Sequence, residues 1–503
     1  MKTPNTLMIT FTVMTGAVMS ALDTSIVNVA LPYMRGSMSS TVEEIAWVST
    51  SYILANVIIM PIVGLLSSRF GRKNFYMYSV AIFTLTSLLC GIAWDLNSMI
   101  FFRVLQGIGG GALIPISQAI LRESYPPDKQ GVAMGIFGLG VVMGPAFGPT
   151  LGGWLTDHFS WPWIFYINLP VGILNLFLTM RFIEDPSYMQ RKKERWDVPG
   201  LMLLVIGLGS LQLMLEEGQS KDWFASNYIT ILAVTAAIGS ALFVWRELVA
   251  EKPAVNLRLL KNITFASGTM IGGVLGISLF ASLFLLPLFL QQLLGYPAFD
   301  SGITMMPRSL AMAITMPIVG RMYNKLGPKF LIGAGLLINA FSFWELSVIS
   351  LDVGFWDIFY PQVWQGIGFG LIFVALSTVT LSTVDKANMT DASGLYNVVR
   401  QVFGSVGIAL SATFLTRDET IFHSYLTEKV TSVSDSATMW LGSLQSYFFN
   451  QGFDNETASA MSMRMVEGLI TKHGAMMAFN HVFFMVSVLF IISFPMIFLL
   501  RKN

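Results

Sequence analysis

Long apolar stretches recur from one end of the chain to the other, and short polar segments separate them. A helix needs about 20 apolar residues to cross the ~30 Å hydrocarbon core of a bilayer at ~1.5 Å per residue. The pattern predicts fourteen membrane-spanning helices, which we number spans 1 to 14 in chain order. Their expected positions are 7–33, 45–67, 75–94, 98–121, 131–155, 162–183, 198–216, 227–247, 264–293, 302–322, 329–350, 357–382, 391–415 and 473–499. We therefore expect an all-α integral membrane protein.

The composition agrees with this class. Hydrophobic residues make up 54% of the chain and charged residues 12%, against about 25% charged residues in soluble domains. The expected environment is thus a lipid bilayer. A net charge of +1 gives no reason to expect a nucleic-acid partner. The single cysteine, Cys90, excludes an internal disulfide.

Lys and Arg are unevenly distributed between the loops on the two sides of the membrane. With the N-terminus inside, 21 of the 30 Lys and Arg residues fall on the cytoplasmic side, among them the run at 191–195, and six fall on the opposite side. Because cytoplasmic loops carry the excess of positive residues, this distribution predicts that both termini are cytoplasmic.

Two sequence echoes indicate an internal repeat. RVLQGIGGGALIPIS at 103–117 is echoed by PQVWQGIGFGLIFVAL at 361–376, and GLLSSRFGRKNF at 64–75 is echoed by GRMYNKLGPKF at 320–330. Both echoes occupy matching positions if spans 1–6 and 9–14 form two homologous halves. We expect a six-helix half at 1–183, two inserted helices at 184–250 and a second six-helix half at 251–503. A substrate site between duplicated halves is typical of secondary transporters.

Charged residues within spans are costly in a membrane, so they usually face a partner or a cavity. Asp23 in span 1 and Arg103 in span 4 pair if the two spans adjoin. Burial and a nearby guanidinium act on a carboxylate in opposite directions, so such a pair can couple proton binding to movement. The alternative is a static polar clasp between the two helices. Four polar residues of the spans are expected to line a substrate cavity, namely Thr24, Asn28, Gln106 and Gln365.

Two further arginines lie within spans. Arg308, near the outer end of span 10, is expected to extend its side chain toward the membrane surface. Arg400, with Asn397 and Gln401 in span 13, is expected to form a hydrogen-bonded clasp between helices.

Span 5 contains an unusual series of small residues. Gly140, Gly144, Gly148 and Gly152 recur every four residues and form one stripe along a helix, along which another helix can approach closely. Pro145 and Pro149 within this stripe bend the helix. The alternatives are a plain packing helix and a bent element that seals the interface between the halves during transport.

Residues 417–472 are expected to form a long extracytoplasmic loop with helical pieces near 439–449 and 456–471. Trp440, Leu444 and Tyr447 fall near one face of the first piece at helical spacing. Two interpretations remain open, an amphipathic hairpin on the membrane surface and a docking surface for an extracytoplasmic partner.

Several of these motifs resemble those of one family. The pattern Gly131, Gly140, Gly144-Pro145, Gly148, Pro149 resembles the antiporter motif on the fifth helix of major facilitator exporters. LDTSIVNVALP at 22–32 is similar to the first-span motif of the fourteen-span drug:proton antiporters, and Arg103 with Gln106 resembles the fourth-span motif that the family links to proton transfer. The loop at 64–73 resembles the gating motif of the superfamily, whose matching positions are Gly64, Arg69, Gly71, Arg72 and Lys73. Ser68 replaces the acidic residue of that motif.

WPWIFYINLPVG at 161–172, PGLMLLVIGLGSLQLMLEEG at 199–218 and the long loop before the last span resemble the EmrB-type family of efflux subunits. The resemblance implies the major facilitator fold and proton-coupled antiport that exports hydrophobic or amphipathic drugs from a bacterium. It implies a place in the inner membrane, a periplasmic adaptor protein, an outer-membrane channel, and the proton gradient as energy source, with no cofactor.

Other functions remain as alternatives. A symporter or an exporter of one metabolite shares the architecture, and only the resemblance of span 5 argues against it. An integral-membrane enzyme would need clustered acidic or His residues at one membrane face, and the sequence shows no such cluster. We hypothesise that protonation of Asp23 and substrate occupancy oppose each other while the halves rock about the cavity.

Overall fold

The computed structural model of the protein describes residues 6–186, 197–251, 253–430 and 435–500. These residues form helices joined by short connections, with no strand among them. Fourteen helices are long and apolar enough to span a membrane. The predicted run of positive charge at 191–195 lies outside the described residues.

The fourteen helices match the predicted spans in number and order. Spans 1 to 7 are Thr6–Ser37, Val42–Phe70, Arg72–Gly91, Leu96–Ser124, Gln130–His158, Trp163–Phe182 and Val198–Glu217. Spans 8 to 14 are Asn227–Val249, Ile263–Leu293, Ala298–Leu326, Pro328–Leu346, Phe355–Ser382, Met389–Lys429 and Asn455–Ser493.

Local sequence explains where several helices begin. Thr41 caps span 2, because its hydroxyl accepts from the backbone N–H of Glu44 while the Glu44 carboxylate accepts from the backbone N–H of Thr41. Asp95 and Ser98 make the same reciprocal pair before span 4. Each pair satisfies amides that a helix start leaves without a partner.

The segment at 417–472 differs from the predicted loop. Span 13 continues as one helix to Lys429, a separate helix covers Asp435–Asn450, and span 14 already begins at Asn455. The predicted helical pieces exist, but the second is the first part of span 14. With 41 residues, span 13 is roughly 60 Å long at ~1.5 Å per residue. It is therefore about twice as long as the ~30 Å that a bilayer core requires.

The helices pack as two groups with an inserted pair. Spans 1 to 6 contact one another, as do spans 9 to 14, and spans 7 and 8 pair with each other. Span 7 rests against spans 2 and 13, one from each group. The inserted pair thus lies at the outside of the junction between the two six-helix halves.

The two echoes occupy equivalent places in the two halves. Gly71 after span 2 and Gly327 after span 10 have nearly the same backbone conformation, with φ of 83° and 77°, a region that favours glycine. Gly107 packs against the backbone of Tyr52, and its counterpart Gly366 packs against the backbone of Arg308. These contacts support the predicted duplication at the level of individual residues.

The hydrogen bonds described between the halves lie toward one side of the membrane. We call it the terminal side, because span 1 begins there and span 14 ends there. Ser393 of span 13 donates to the backbone carbonyl of Pro115 at 2.9 Å, and Asn397 donates to Gln118 Oε1 at 2.7 Å. Arg122 donates to the carbonyl of Thr378 at 3.0 Å. The halves are therefore closed against each other on the terminal side.

Candidate functional site

Asp23 and Arg103 form the predicted pair. Arg103 Nη1 lies 2.6 Å from Asp23 Oδ2, and the two side chains are 1% and 0% exposed. Spans 1 and 4 adjoin at this point, as the pairing requires. A fully buried ion pair is stable only when further hydrogen bonds satisfy its remaining atoms.

Three neutral side chains supply those hydrogen bonds. Gln106 accepts from Arg103 Nη1 at 2.8 Å and donates to Asp23 Oδ1 at 2.9 Å. Asn168 of span 6 donates to the same Asp23 oxygen at 3.3 Å. Ser87 of span 3 accepts from both Gln106 and Asn168, at 3.2 and 3.0 Å. We call these five side chains the carboxylate cluster.

Span 2 holds the arginine from the other side. Arg103 Nε donates to the backbone carbonyl of Val48 at 2.9 Å. The guanidinium carbon lies 4.1 Å from the ring centroid of Tyr52 and 5.8 Å from that of Phe165, positions that allow cation–π attraction. The cluster therefore joins spans 1, 2, 3, 4 and 6 within the first half.

This geometry gives the carboxylate cluster a definite chemical capability. Asp23 is the only carboxylic acid of this cluster. While it is ionised both of its oxygens accept hydrogen bonds, and once it is protonated one of them becomes a donor. A proton on Asp23 therefore cancels the charge that pairs with Arg103 and weakens the hydrogen bonds that the carboxylate accepts. The arrangement of five helices is thus linked to the protonation state of one residue.

The sequence did not point to Ser87 or Asn168. Neutral polar residues are common in membrane helices, and neither lies in a motif. Their role follows from the rotation of spans 3 and 6 about their axes, which brings both side chains toward Asp23. The INLP segment of 167–170, within the stretch that resembles EmrB-type proteins, is the sequence signal that could have drawn attention to Asn168.

The four predicted cavity residues are not in one place. Asn28 is exposed and accepts from Ser49 of span 2 at 2.6 Å, whereas Thr24 is half-buried and donates to the carbonyl of its own span at Ser20. Gln106 and Gln365 are both fully buried. In this conformation Gln106 therefore belongs to the carboxylate cluster, and Gln365 belongs to the core of the second half. Both are buried in this conformation, and their place in a substrate cavity stays a prediction.

The glycine stripe of span 5 packs against span 1. A Cβ atom at Gly144 would overlap the backbone of Ala21, one at Gly148 would lie 2.6 Å from Ser25, and one at Gly140 would meet the end of Met14. The stripe is thus an interface inside the first half, which fits the alternative of a packing helix and not that of an element sealing the two halves together. Pro149, within the stripe, is exposed, and the side chain of Pro145 lies outside the described residues.

Other glycines of span 5 make the contact between the halves. A Cβ at Gly131 would lie 2.7 Å from the carbonyl oxygen of Gly320 in span 10, and one at Gly135 would lie 2.7 Å from that of Met316. The two backbones touch here because neither helix has side-chain bulk at the crossing. Span 5 therefore links the halves at its terminal end and holds span 1 farther along.

The predicted gating residues connect spans at the terminal side. Arg72 forms an ion pair of 2.7 Å with Glu123, and the backbone N–H of Lys73 donates to Asp185 at 2.7 Å. Gly64 lies so close to Asp391 of span 13 that a Cβ atom would clash with it. Gly71 provides the turn between spans 2 and 3, and Arg69 is exposed. The motif thus ties the first half together and contacts the second at Gly64.

Asn397 makes the expected hydrogen bond between helices, whereas Arg400 bonds within its own span and Arg308 is not near the surface. Arg400 donates to Asn397 Oδ1 at 3.2 Å, and Asn397 bonds across to Gln118 of the other half. Arg308 is 4% exposed and turns into the second half, where it donates to Ser282. The expectation that Arg308 extends to the membrane surface was wrong.

Comparison with known proteins identifies the family. The model of the Major Facilitator Superfamily matches residues 13–408. The human organic anion transporter MFSD10 (TETRAN) has a similar fold, with a TM-score of 0.64 at 12% identity over 98% of this chain and 100% of that chain.

Two relatives are similar in sequence over nearly their whole length. The fatty acid resistance protein FarB of Neisseria gonorrhoeae is 34% identical over 96% of this chain and 94% of its own. The multidrug export protein EmrB of Escherichia coli (strain K12) is 34% identical over 94% of this chain and 91% of its own. The chain therefore belongs to the Major Facilitator Superfamily, within the EmrB-type group of efflux transporters, and is a transporter and not an enzyme.

Proposed function

We propose that this transporter exports amphipathic, largely apolar compounds across a bacterial inner membrane in exchange for protons. Export is supported by the names of the relatives, which are a multidrug export protein and a fatty acid resistance protein. Proton exchange is supported chiefly by one observation, a fully buried carboxylate whose ion pair links five helices of one half. The proton gradient supplies the energy, and no cofactor takes part.

The proton acts through span 1. While Asp23 is ionised, Arg103 and Gln106 bind it and hold span 1 against span 4. Protonation cancels the charge of Asp23, so Arg103 loses its counter-ion and these contacts weaken. Span 1 also carries the packing surface for the stripe of span 5. A shift of span 1 therefore moves span 5, whose other end touches span 10 of the second half.

The closure on the terminal side fits one step of this cycle. With both termini in the cytoplasm, as the loop charges predict, the closed side faces the cytoplasm. Substrate release and proton uptake then take place from the opposite side. Protonation loosens the carboxylate cluster and favours the return to the cytoplasm-open state, in which the proton leaves and substrate binds. Proton and substrate thus oppose each other, as two ligands with different affinities for the two states must.

The end of span 13 that extends past the membrane and the helix Asp435–Asn450 are the proposed contact with a periplasmic adaptor. The adaptor joins the transporter to an outer-membrane channel. Span 13 is roughly 30 Å longer than a bilayer core requires, and the helix Asp435–Asn450 packs against span 14. Trp440 and Tyr447 on this helix are 44% and 57% exposed. Aromatic residues of this kind are enriched in protein interfaces.

Reconstituted vesicles test the exchange. Purified protein in liposomes is given an imposed pH gradient, and the flux of a fluorescent hydrophobic compound is followed in both gradient directions. Antiport predicts that the compound accumulates on the acidic side and that the flux disappears when an ionophore collapses the gradient. Accumulation on the alkaline side would identify symport, and flux that ignores the gradient would contradict proton coupling.

A second experiment tests the adaptor separately. Replacing residues 435–450 by a short flexible linker should abolish drug resistance in cells but leave gradient-driven flux in vesicles intact, because vesicles need no adaptor. Full resistance in cells that carry this variant would contradict the docking role.

A further inference from the structure

The second half contains a buried polar group that resembles the carboxylate cluster but has no carboxylate. Arg308 of span 10 donates from Nη1 to the hydroxyl of Ser282 in span 9 at 2.7 Å. Ser282 donates in turn to Gln365 Oε1 of span 12 at 3.0 Å. The three side chains are 4%, 0% and 0% exposed. We call this group the arginine node.

The arginine node and the neighbouring Gln362 contain buried polar atoms that have no hydrogen-bond partner in the described part of the chain. Gln365 Nε2 is buried and has no hydrogen-bond partner within the described part of the chain. Gln362, one turn earlier on span 12, has neither its nitrogen nor its oxygen paired there. A buried donor that stays unpaired destabilises the folded protein. The Nε2 donor of Gln365 therefore lacks an acceptor in this conformation.

The internal repeat shows what is missing. Tyr52 and Arg308 each lie ten residues after the first residue of their helix and pack against the matching glycines Gly107 and Gly366. Gln106 and Gln365 also match in the echo. In the first half, Gln106 and an arginine donate to the carboxylate of Asp23. In the second half, Arg308 donates to the Ser282 hydroxyl and Gln365 accepts from it, whereas Gln365 Nε2 has no acceptor among the described residues.

The charge of Arg308 makes the arginine node specific for an anion. A guanidinium stays protonated and donates five hydrogen bonds without accepting any. Among the residues that the structure describes, Arg308 has a hydrogen bond only with Ser282 and has no ion pair. A buried charge without a counter-ion is strongly unfavourable. A ligand that brings a negative charge and accepts hydrogen bonds offsets this cost.

We propose that the arginine node binds the carboxylate of an amphipathic acid that the transporter carries. The acid supplies to Arg308 and Gln365 the group that Asp23 supplies in the other half. Leu286 and Met312, one helical turn from Ser282 and Arg308, are buried and give the node apolar surroundings that suit the rest of the molecule. This inference rests on the proposed function as an exporter, and it names the class of substrate and its binding residues.

Binding to purified full-length protein tests the proposal without transport. Decanoate and its neutral counterpart decanol are titrated by isothermal calorimetry, and the ratio of their affinities is compared among variants. Arg308→Gln should lower the preference for decanoate at least tenfold. Arg321→Gln is the matched control, because Arg321 lies on the same span but is exposed, and it should keep the preference of the wild type.

A second variant supplies the arginine node with a carboxylate from the protein itself. Ser282→Asp places a carboxylate beside Arg308, so it should fold, resist heat at least as well as the wild type and lose the preference for decanoate. This variant keeps the test decisive if Arg308→Gln folds poorly. Unchanged preference in both variants would overturn the proposal, as would loss of the preference in Arg400→Gln alone.

Buffers that contain different anions distinguish an organic carboxylate from an inorganic ion as the ligand of the arginine node. If the node holds an organic carboxylate, decanoate should bind equally in chloride and in isethionate buffers. If chloride stabilises the wild type against heat, fails to stabilise Arg308→Gln and does not compete with decanoate, the node binds an inorganic ion and the substrate assignment is wrong. Decanoate binding with no gradient-driven flux would instead contradict the proposed function alone.

Discussion

Gly144 offers a sharp test of how span 5 and span 1 fit together. A Cβ at this position would overlap the backbone carbonyl of Ala21 and lie 2.8 Å from the Ala21 Cβ, whereas ordinary contacts begin at 3.4 Å. The clash is with backbone, which cannot rotate away as a side chain can. Gly144→Ala must therefore push the two helices apart by roughly 1 Å, which typically costs about 1–3 kcal/mol for an overpacked core.

Gly153 on the same helix is the matched control. A Cβ at Gly153 would meet nothing within 4 Å. Replacing Gly by Ala within a helix gains up to ~1 kcal/mol from backbone propensity, and this gain is common to both positions. The difference between Gly144→Ala and Gly153→Ala therefore isolates the overlap with Ala21, and we expect Gly144→Ala to be less stable by about 1–3 kcal/mol.

Thermal unfolding in detergent and flux in vesicles measure the two consequences. Gly144→Leu should unfold at a lower temperature than Gly153→Leu and should transport little, although both reach the membrane in normal amounts. Equal unfolding temperatures and equal flux for these two leucine variants would refute a tight contact between span 5 and span 1.

Three further predictions concern the ends of the helices and the contact between the halves. Gly71→Ala should destabilise the protein by roughly 1 kcal/mol because φ is 83° there, and thermal unfolding of Gly36→Ala, a position with open space around it, gives the comparison. Gln118→Leu should lower the unfolding temperature and speed hydrogen exchange at the start of span 13, since it leaves Asn397 without its partner across the halves; unchanged exchange would exclude this clasp. Hydrogen bonds from the Thr457 hydroxyl and backbone N–H hold the pKa of Asp454 below its usual range. The cap of span 14 is therefore fully formed at a pH above the unfolded-state pKa of about 4. It is lost as the pH falls through the lower pKa of the folded state. The protection of the Glu456 and Thr457 amides against hydrogen exchange, relative to the intrinsic rate at the same pH, should accordingly fall on acidification, and Asp454→Ala should show the lower protection already at neutral pH.

The sequence predicted the membrane helices because polar groups are costly to bury in lipid. A long apolar stretch therefore identifies a helix that can span the membrane. It predicted the Asp23–Arg103 pair for a similar reason, since two opposite charges in neighbouring spans have few other ways to be satisfied. Both inferences depend on position along the chain alone, and the structure confirms both.

Inferences that depended on rotation about a helix axis fared less well. Arg308 was placed near the membrane surface from its distance to the helix end, but the face it occupies turns it toward Ser282. The stripe of span 5 was recognised, yet only three-dimensional packing shows that span 1 is its partner. Hydropathy also could not show that span 13 continues past the membrane, because a polar helix and a polar loop have the same composition.

Gradient-driven flux in vesicles that contain Asp23→Asn tests the central claim most directly. Asn keeps the size of Asp23 but cannot exchange a proton, and Asp352→Asn, an exposed residue outside the spans, is the control. The account predicts that Asp23→Asn loses pH-driven accumulation of drug, whereas Asp352→Asn keeps it. Accumulation in Asp23→Asn equal to that of the wild type and with the same response to the pH gradient would contradict the role of this carboxylate.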